Sequence, residues 1–391
     1  MNSTSNTANA TLDLRAGDWV EVRSADEILA TLDDNQAMDG LPFMPEMLQH
    51  CGRRFRVHKS AHKTCDTLQH YIIRRMPHAV HLEQLRCDGS GHDGCQAGCL
   101  IFWKTAWLKR VSSDDSVNDA GDLEGTVKPE RPQTRAGSAL DALQRATRAE
   151  DDAETGTARY RCQATDLLKA TTAVRRRERW NPLFYVKDLT SRNVSAGEFV
   201  WYGLGATINA FCRRWLGWRF PRLRGLAKGQ TPTASLNLQA GELVQIRSKH
   251  EIMQTLTPQL RNRGLWFDVE AVPYCGSTFR VLRRVEKIID EKTGRMIALP
   301  NPSVILDGVV CAGHNAVDRM FCPREIYMYW REVWLRRIAS SDDQTIGVVF
   351  QQISLDLDLS IRRNLLFQAD LQGLPRRIAN ERIQADCARL G

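Results

Sequence analysis

The sequence predicts a mainly β protein with helical additions, an α+β chain of two tandem repeats and a helical middle segment. Three observations carry this. Residues 14–87 and 238–311 align without a gap at a constant offset of 224, and 25 of those 74 positions are identical. Within each copy, short stretches rich in Val, Ile, Phe and Trp alternate with polar residues, as half-buried strands do. Between the copies, residues 199–220 form one apolar and aromatic run with helical spacing.

Residues 1–13 are rich in Ser, Thr and Asn and read as a disordered N-terminus. They hold neither the basic region nor the apolar core of a secretory signal. Repeat 1 is placed at 14–111. Its opening, Gly17-Asp-Trp-Val-Glu-Val-Arg23, reads as a turn and an alternating strand. Ser24 followed by Glu27 has the spacing of a capping box, which predicts a short helix. Gly40, Pro42 and Pro45 mark a loop, residues 51–57 a second strand, and residues 79–86 a third that delivers Cys87.

Repeat 2, at 236–338, returns the same order, with Gly17/Gly241, Ile28/Ile252, Phe43/Phe267, Cys51/Cys275 and Val57/Val281 among the matches. Beyond Cys87 the copies realign on Trp103/Trp330 and Trp107/Trp334, which pairs Cys95 with Cys322 and sets Cys99 opposite Ile326. The shared opening Gly-Asp/Glu-x-Val-x-Val/Ile-Arg, with short strands after it, resembles the first strand of an SH3-like barrel. That resemblance implies two tandem SH3-like barrel repeats and nothing about function, since such barrels serve many.

Residues 112–157 are rich in Asp, Ser, Gly, Ala and Thr and read as a disordered linker, with a short helix near 139–150. The connecting segment 158–235 should be helical. Residues 160–174 have helical spacing, 181–189 look like a docked segment, and 199–220 look like a helix trailed by arginines. That helix either packs between the copies or anchors at a membrane surface through 199–224, a setting that suits Trp and Arg. Residues 339–391 form a partly helical tail with one apolar stretch, 346–359.

At 391 residues the chain has room for two or three domains, and 42% hydrophobic content excludes a wholly disordered protein. No run of about 18 apolar residues exists, so no transmembrane helix is expected. A cytoplasmic protein follows, in which eleven cysteines point to metal or thiol chemistry instead of disulfides. Net charge is +8; residues 112–157 hold eleven acidic and five basic residues, −6, which leaves +14 elsewhere. Such a surface suits nucleic acid, an anionic membrane or a phosphorylated ligand, or is simply solvated.

The chemistry concentrates in 87–110, where Cys87, His92, Cys95 and Cys99 share a glycine-rich stretch. Thiolates and imidazole bind zinc or iron when about four donors meet. The trio common to both copies is Cys51, Cys87 and Cys95, and Cys275, Cys311 and Cys322. A fourth donor is His92 or Cys99 in repeat 1 and His314 in repeat 2. Zinc is expected, with iron as the alternative, and buried core cysteines are the plain reading beside both. Repeat 1 alone has His58, His62, Cys65 and His81, where repeat 2 has Leu282, Glu286, Ile289 and Ile305. The functional site is therefore placed in repeat 1, and a closed structural zinc site in repeat 2. The glycine-rich stretch lacks the Gly-Lys-Ser/Thr ending of a phosphate loop.

Trp103, Trp107 and Arg110, with Trp330, Trp334 and Arg337, are either core or a stacking and anion-binding edge. The resulting function is a zinc-binding tandem-repeat protein acting as a binding or accessory module toward a protein or anionic ligand. The alternatives are a Cys/His-ligated metalloenzyme or thiol enzyme, and a nucleic-acid-binding tandem barrel.

Overall fold

Two five-stranded antiparallel sheets dominate the computed structural model, which describes residues 12–68, 72–111, 133–151, 156–215, 217, 223–314 and 317–338. In the first, β1 (Trp19–Val22), β2 (Arg54–Ser60), β3 (Ala79–Arg86), β4 (Leu100–Lys104) and β5 (Leu108–Arg110) lie in the order β4-β3-β2-β1-β5. In the second, β6 (Leu243–Ile246), β7 (Thr278–Arg284), β8 (Ser303–Leu306), β9 (Trp330–Arg331) and β10 (Leu335–Arg337) lie in the order β9-β8-β7-β6-β10. Pairing agrees residue by residue: Val20 faces Phe55 as Val244 faces Phe279, and Val80 faces Trp103 as Val304 faces Trp330. Even the register shift recurs, between Val57 and Lys59 and between Val281 and Arg283. Mixed architecture of this kind, antiparallel sheet with a few helices, is α+β and mainly β.

Local chemistry explains the elements. Helices α1 (Ala25–Leu29) and, in the second repeat, Lys249–Gln254 each start at a capping box, Ser24 with Glu27 and Ser248 with Glu251. Each sheet curls over a cluster in which Phe43 meets Trp107 edge-on at 5.2 Å, as Phe267 meets Trp334 at 5.4 Å. The Trp107 and Trp334 indole N–H groups donate to Thr31 and Thr255, so these rings are satisfied core members.

Within the linker, where a short helix near 139–150 is expected, helix α2 spans Gln133–Ala146, and its Leu143 is fully buried. One expectation is corrected: residues 160–174 are turns and short strands instead of a helix. Tertiary bonds override the helical spacing there. Gln163 accepts from the Phe102 N–H (2.8 Å) and donates to the Phe102 carbonyl (3.0 Å), completing the exposed edge of β4. Residues 112–132 of the linker and the tail from 339 lie outside the described residues.

The repeats interlock. Glu325 of repeat 2 pairs with His58 (2.8 Å) and Lys59 (2.5 Å) of repeat 1. Arg324, almost fully buried, reaches Thr67 (2.7 Å) and Glu291 (2.9 Å). Two connecting helices follow, α3 (Leu183–Thr190) and α4 (Ala196–Trp215). From α3, Asp188 holds the wholly buried Lys63 at 2.5 Å, under the rings of Phe184, Tyr185 and Phe321.

Candidate metal centre

Three elements of repeat 1 converge on one point. Glu46 sits on the 3-10 turn Pro45–His50, Cys87 directly follows β3, and His92 lies on the glycine-rich turn beyond it. The turn is closed locally. Asp88 accepts from the Ser90 N–H, the Gly89 carbonyl takes the N–H groups of His92 and Gly94, and Cys87 N–H donates to the Cys99 carbonyl. Gly89 has φ +82°, and a Cβ there would lie 2.3 Å from the Cys95 carbonyl oxygen. Only glycine fits.

The Cys87 Sγ lies 3.6 Å from His92 Nε2, and the ligand atoms of Glu46, Cys87 and His92 all lie within 4.8 Å of one another. A tetrahedral zinc ion at the usual ~2.3 Å from sulfur and ~2.05 Å from nitrogen sets those two atoms about 3.6 Å apart. Among the described residues, the buried Glu46 carboxylate meets no donor beyond its own backbone N–H and the Cys87 thiol, and His92 Nδ1 is unpartnered. Buried polar atoms are rarely left so. Burial raises the Glu46 pKa, with the Cys87 thiol beside it acting the other way. Burial also pushes the Cys87 thiol far up, reinforced by Glu46, and pushes His92 down to about 4. Without a cation Cys87 is therefore a neutral thiol and His92 a neutral imidazole.

Repeat 2 provides an internal comparison. Glu270, which aligns with Glu46, accepts from the N–H groups of Ala312 (2.9 Å) and Gly313 (3.0 Å) and pairs with Arg319 at 3.3 Å. Cys311, which aligns with Cys87, accepts instead from the Ile326 N–H. The second repeat thus fills with an arginine and backbone donors the place that the first leaves open.

The expected trios do not assemble as ligand sets. Among the described residues, Glu46, Cys87 and His92 form the only group of three or more such donors this close. Cys95 accepts from the Ile289 N–H of repeat 2, Cys99 is half-buried with its thiol pushed up to about 11 by desolvation, and Cys51 is half-buried against the core. In repeat 2, Cys275 leans on the Ala271 carbonyl, Cys322 accepts from the Cys65 N–H at 3.1 Å, and His314 stacks on Tyr202 at 3.7 Å. The closed second-repeat site is not present among them. Trp103, Trp107, Trp330 and Trp334 are all buried, so none of these four offers a ring face to a base. Arg110 pairs with Asp18, and Arg337 with Glu242.

Glu46 was missed in the sequence, although a signal existed. It is one of few charged positions identical in both copies. Beside the three donors, a cavity of about 40 Å³ opens toward Cys95, Cys99, Cys162 and, from repeat 2, Arg324. No protein-family model, curated protein or solved structure matches the chain.

Proposed function

We propose that the protein is a zinc-binding tandem-repeat protein whose metal centre is Glu46, Cys87 and His92 of the first repeat. The carrying observation is the buried Glu46 carboxylate, which has no cation beside it among the described residues next to Cys87 and His92, where its counterpart Glu270 accepts two backbone N–H groups through Oε2 and pairs with Arg319. A divalent ion ligated by thiolate, carboxylate and neutral imidazole gives a site of zero net charge, which burial favours. Thiolate and imidazole suit zinc over magnesium or calcium. Three protein ligands leave a fourth position, facing the cavity, for water or a small donor, as in open zinc sites.

The two curled sheets are read as SH3-like repeats, 14–111 and 236–338, with repeat 1 carrying the site and repeat 2 bracing it. A reducing compartment, the cytoplasm, keeps these thiols available as ligands. The centre serves a binding or accessory role toward a small ligand or partner. Thiol catalysis is the second reading, since Cys87 and His92 are adjacent, but a neutral pair does not yield the reactive thiolate.

Metal analysis of protein purified under reducing conditions tests this, with one zinc per chain expected. Glu46→Gln, Cys87→Ser and His92→Ala each lose it, and Cys51→Ser and Cys275→Ser retain it. Cobalt substitution should produce a sulfur-to-cobalt charge-transfer band that Cys87→Ser removes. Protein that neither carries nor takes up zinc or cobalt rejects the proposal. Rapid alkylation of Cys87 in metal-free protein would favour thiol chemistry.

A further inference from the structure

Helix α4 is mostly apolar between Phe199 and Cys212, and the protein covers one side of it. Phe199, Tyr202, Ala206 and Ala210 face Tyr185, Met320 and Phe321. The opposite side shows Val200, Trp201, Leu204, Ile208, Phe211 and Trp215 to solvent, from 51% exposed at Ile208 to 74% at Trp201. Residues 199–212 contain no charged side chain. Contiguous exposed apolar surface of this kind marks an interaction site, and an apolar helix face with basic residues beside it suits a lipid interface.

We propose that this face of α4 docks on an anionic phospholipid membrane, lying in the headgroup region. Charge decides the partner. Residues 213–224 hold five arginines and no acidic residue, interleaved with Trp215, Trp218 and Phe220. Just upstream, Trp180 and Leu183 are exposed beside Arg175, Arg176 and Arg177, which have no ion pair among the described residues. Aromatic and aliphatic groups on one helix face with arginines at its end are what an interfacial helix presents to acidic lipid. Trp201 and Trp215 stand about 21 Å apart at 1.5 Å per residue, bracketing the stripe. No helix among the described residues is long and apolar enough to cross a membrane, so α4 lies on the bilayer.

A helical partner fits less well. Positions 201, 204, 208, 211 and 215 do follow heptad spacing, but two heptads fall short of the three or four a coiled coil needs. The flanks also lack the paired charges that select such a partner. Nucleic acid is disfavoured because Val200, Leu204 and Ile208 offer nothing to a base.

Flotation of the full chain with phosphatidylcholine vesicles, with and without phosphatidylserine, tests this. Binding should require phosphatidylserine, weaken with salt and shift tryptophan emission to the blue. Leu204→Ser with Phe211→Ser should lower partitioning at least about tenfold, since affinity scales with buried apolar area. Arg213→Gln with Arg214→Gln should lower it about tenfold on acidic vesicles. Both variants should keep the wild-type circular dichroism, since Leu204, Phe211 and Arg214 are exposed. Cys87→Ser should bind vesicles normally, which separates this face from the metal centre. Failure of the wild-type chain to float with acidic vesicles overturns the proposal. So does binding that the Leu204/Phe211 variant leaves unchanged, or a dimer in solution that this variant reduces to monomer without any vesicle binding.

Discussion

Gly91 lacks a side chain at a point where one would disturb the proposed metal centre. A Cβ there would lie 2.7 Å from the Glu46 carboxylate oxygen and 3.1 Å from Pro45. The carboxylate can swing aside, whereas the proline ring holds its place, so Gly91→Ala should displace the ligand more than the fold. We expect zinc affinity to fall by ~10-fold, the usual effect of misorienting one ligand. Competition with a chelator would measure it, and unchanged affinity would show that Glu46 is not a ligand. Cys87 and His92 were readable in the sequence because thiol and imidazole announce their chemistry. Glu46 was not, because a glutamate declares itself only through burial, and burial comes from the fold around it. The same limit applies to Cys51, Cys95 and Cys99. Their clustering in the sequence reflects three different neighbours: the core, the Ile289 backbone of repeat 2, and an interior cavity.

At the scale of elements, repeat 1 meets repeat 2 through the loop that carries Glu325. Burial pushes the Glu325 carboxyl up, but hydrogen bonds and charge from His58 and Lys59 outweigh it and hold the pKa at about 2. A folded value below the unfolded 4.5 contributes stability that is complete above 4.5 and disappears as pH falls toward 2. Glu325→Gln should therefore cost up to about 3 kcal/mol at neutral pH, from roughly 1.4 kcal/mol per pKa unit. Urea unfolding of both proteins at pH 7 and pH 3 would show the difference and its shrinkage; an equal gap at both would contradict it. Strands, capped helices and paired tryptophans were legible because their signals are local. The turns at 160–174 were not, since their conformation is dictated by the distant Phe102 backbone that Gln163 completes.

For the molecule as a whole, duplication was the most legible feature, because two copies at a fixed offset act as each other's control. The match extends from the 25 shared identities to strand order and register. What the copies could not reveal was their contact, because it uses residues that differ between them, such as His58 against Leu282. Those differences also set the acid response. Burial holds His62 and His81 neutral, each with a pKa pushed down to about 3. Between the unfolded 6.5 and about 3 the unfolded chain binds protons that the folded one refuses, so stability falls as pH drops through that window. Each such histidine contributes at most ~1.4 kcal/mol per pH unit. Asp188, raised to about 6 by burial against the pull of Lys63, runs the other way between 6 and 3.8 and removes part of the slope. His81→Ile, which installs the residue that repeat 2 has at Ile305, should flatten the curve by about one proton while keeping the core filled. Urea midpoints measured from pH 7 to pH 4 would show wild-type stability declining and the variant declining less. Parallel curves would mean that His81 takes up its proton in the folded state.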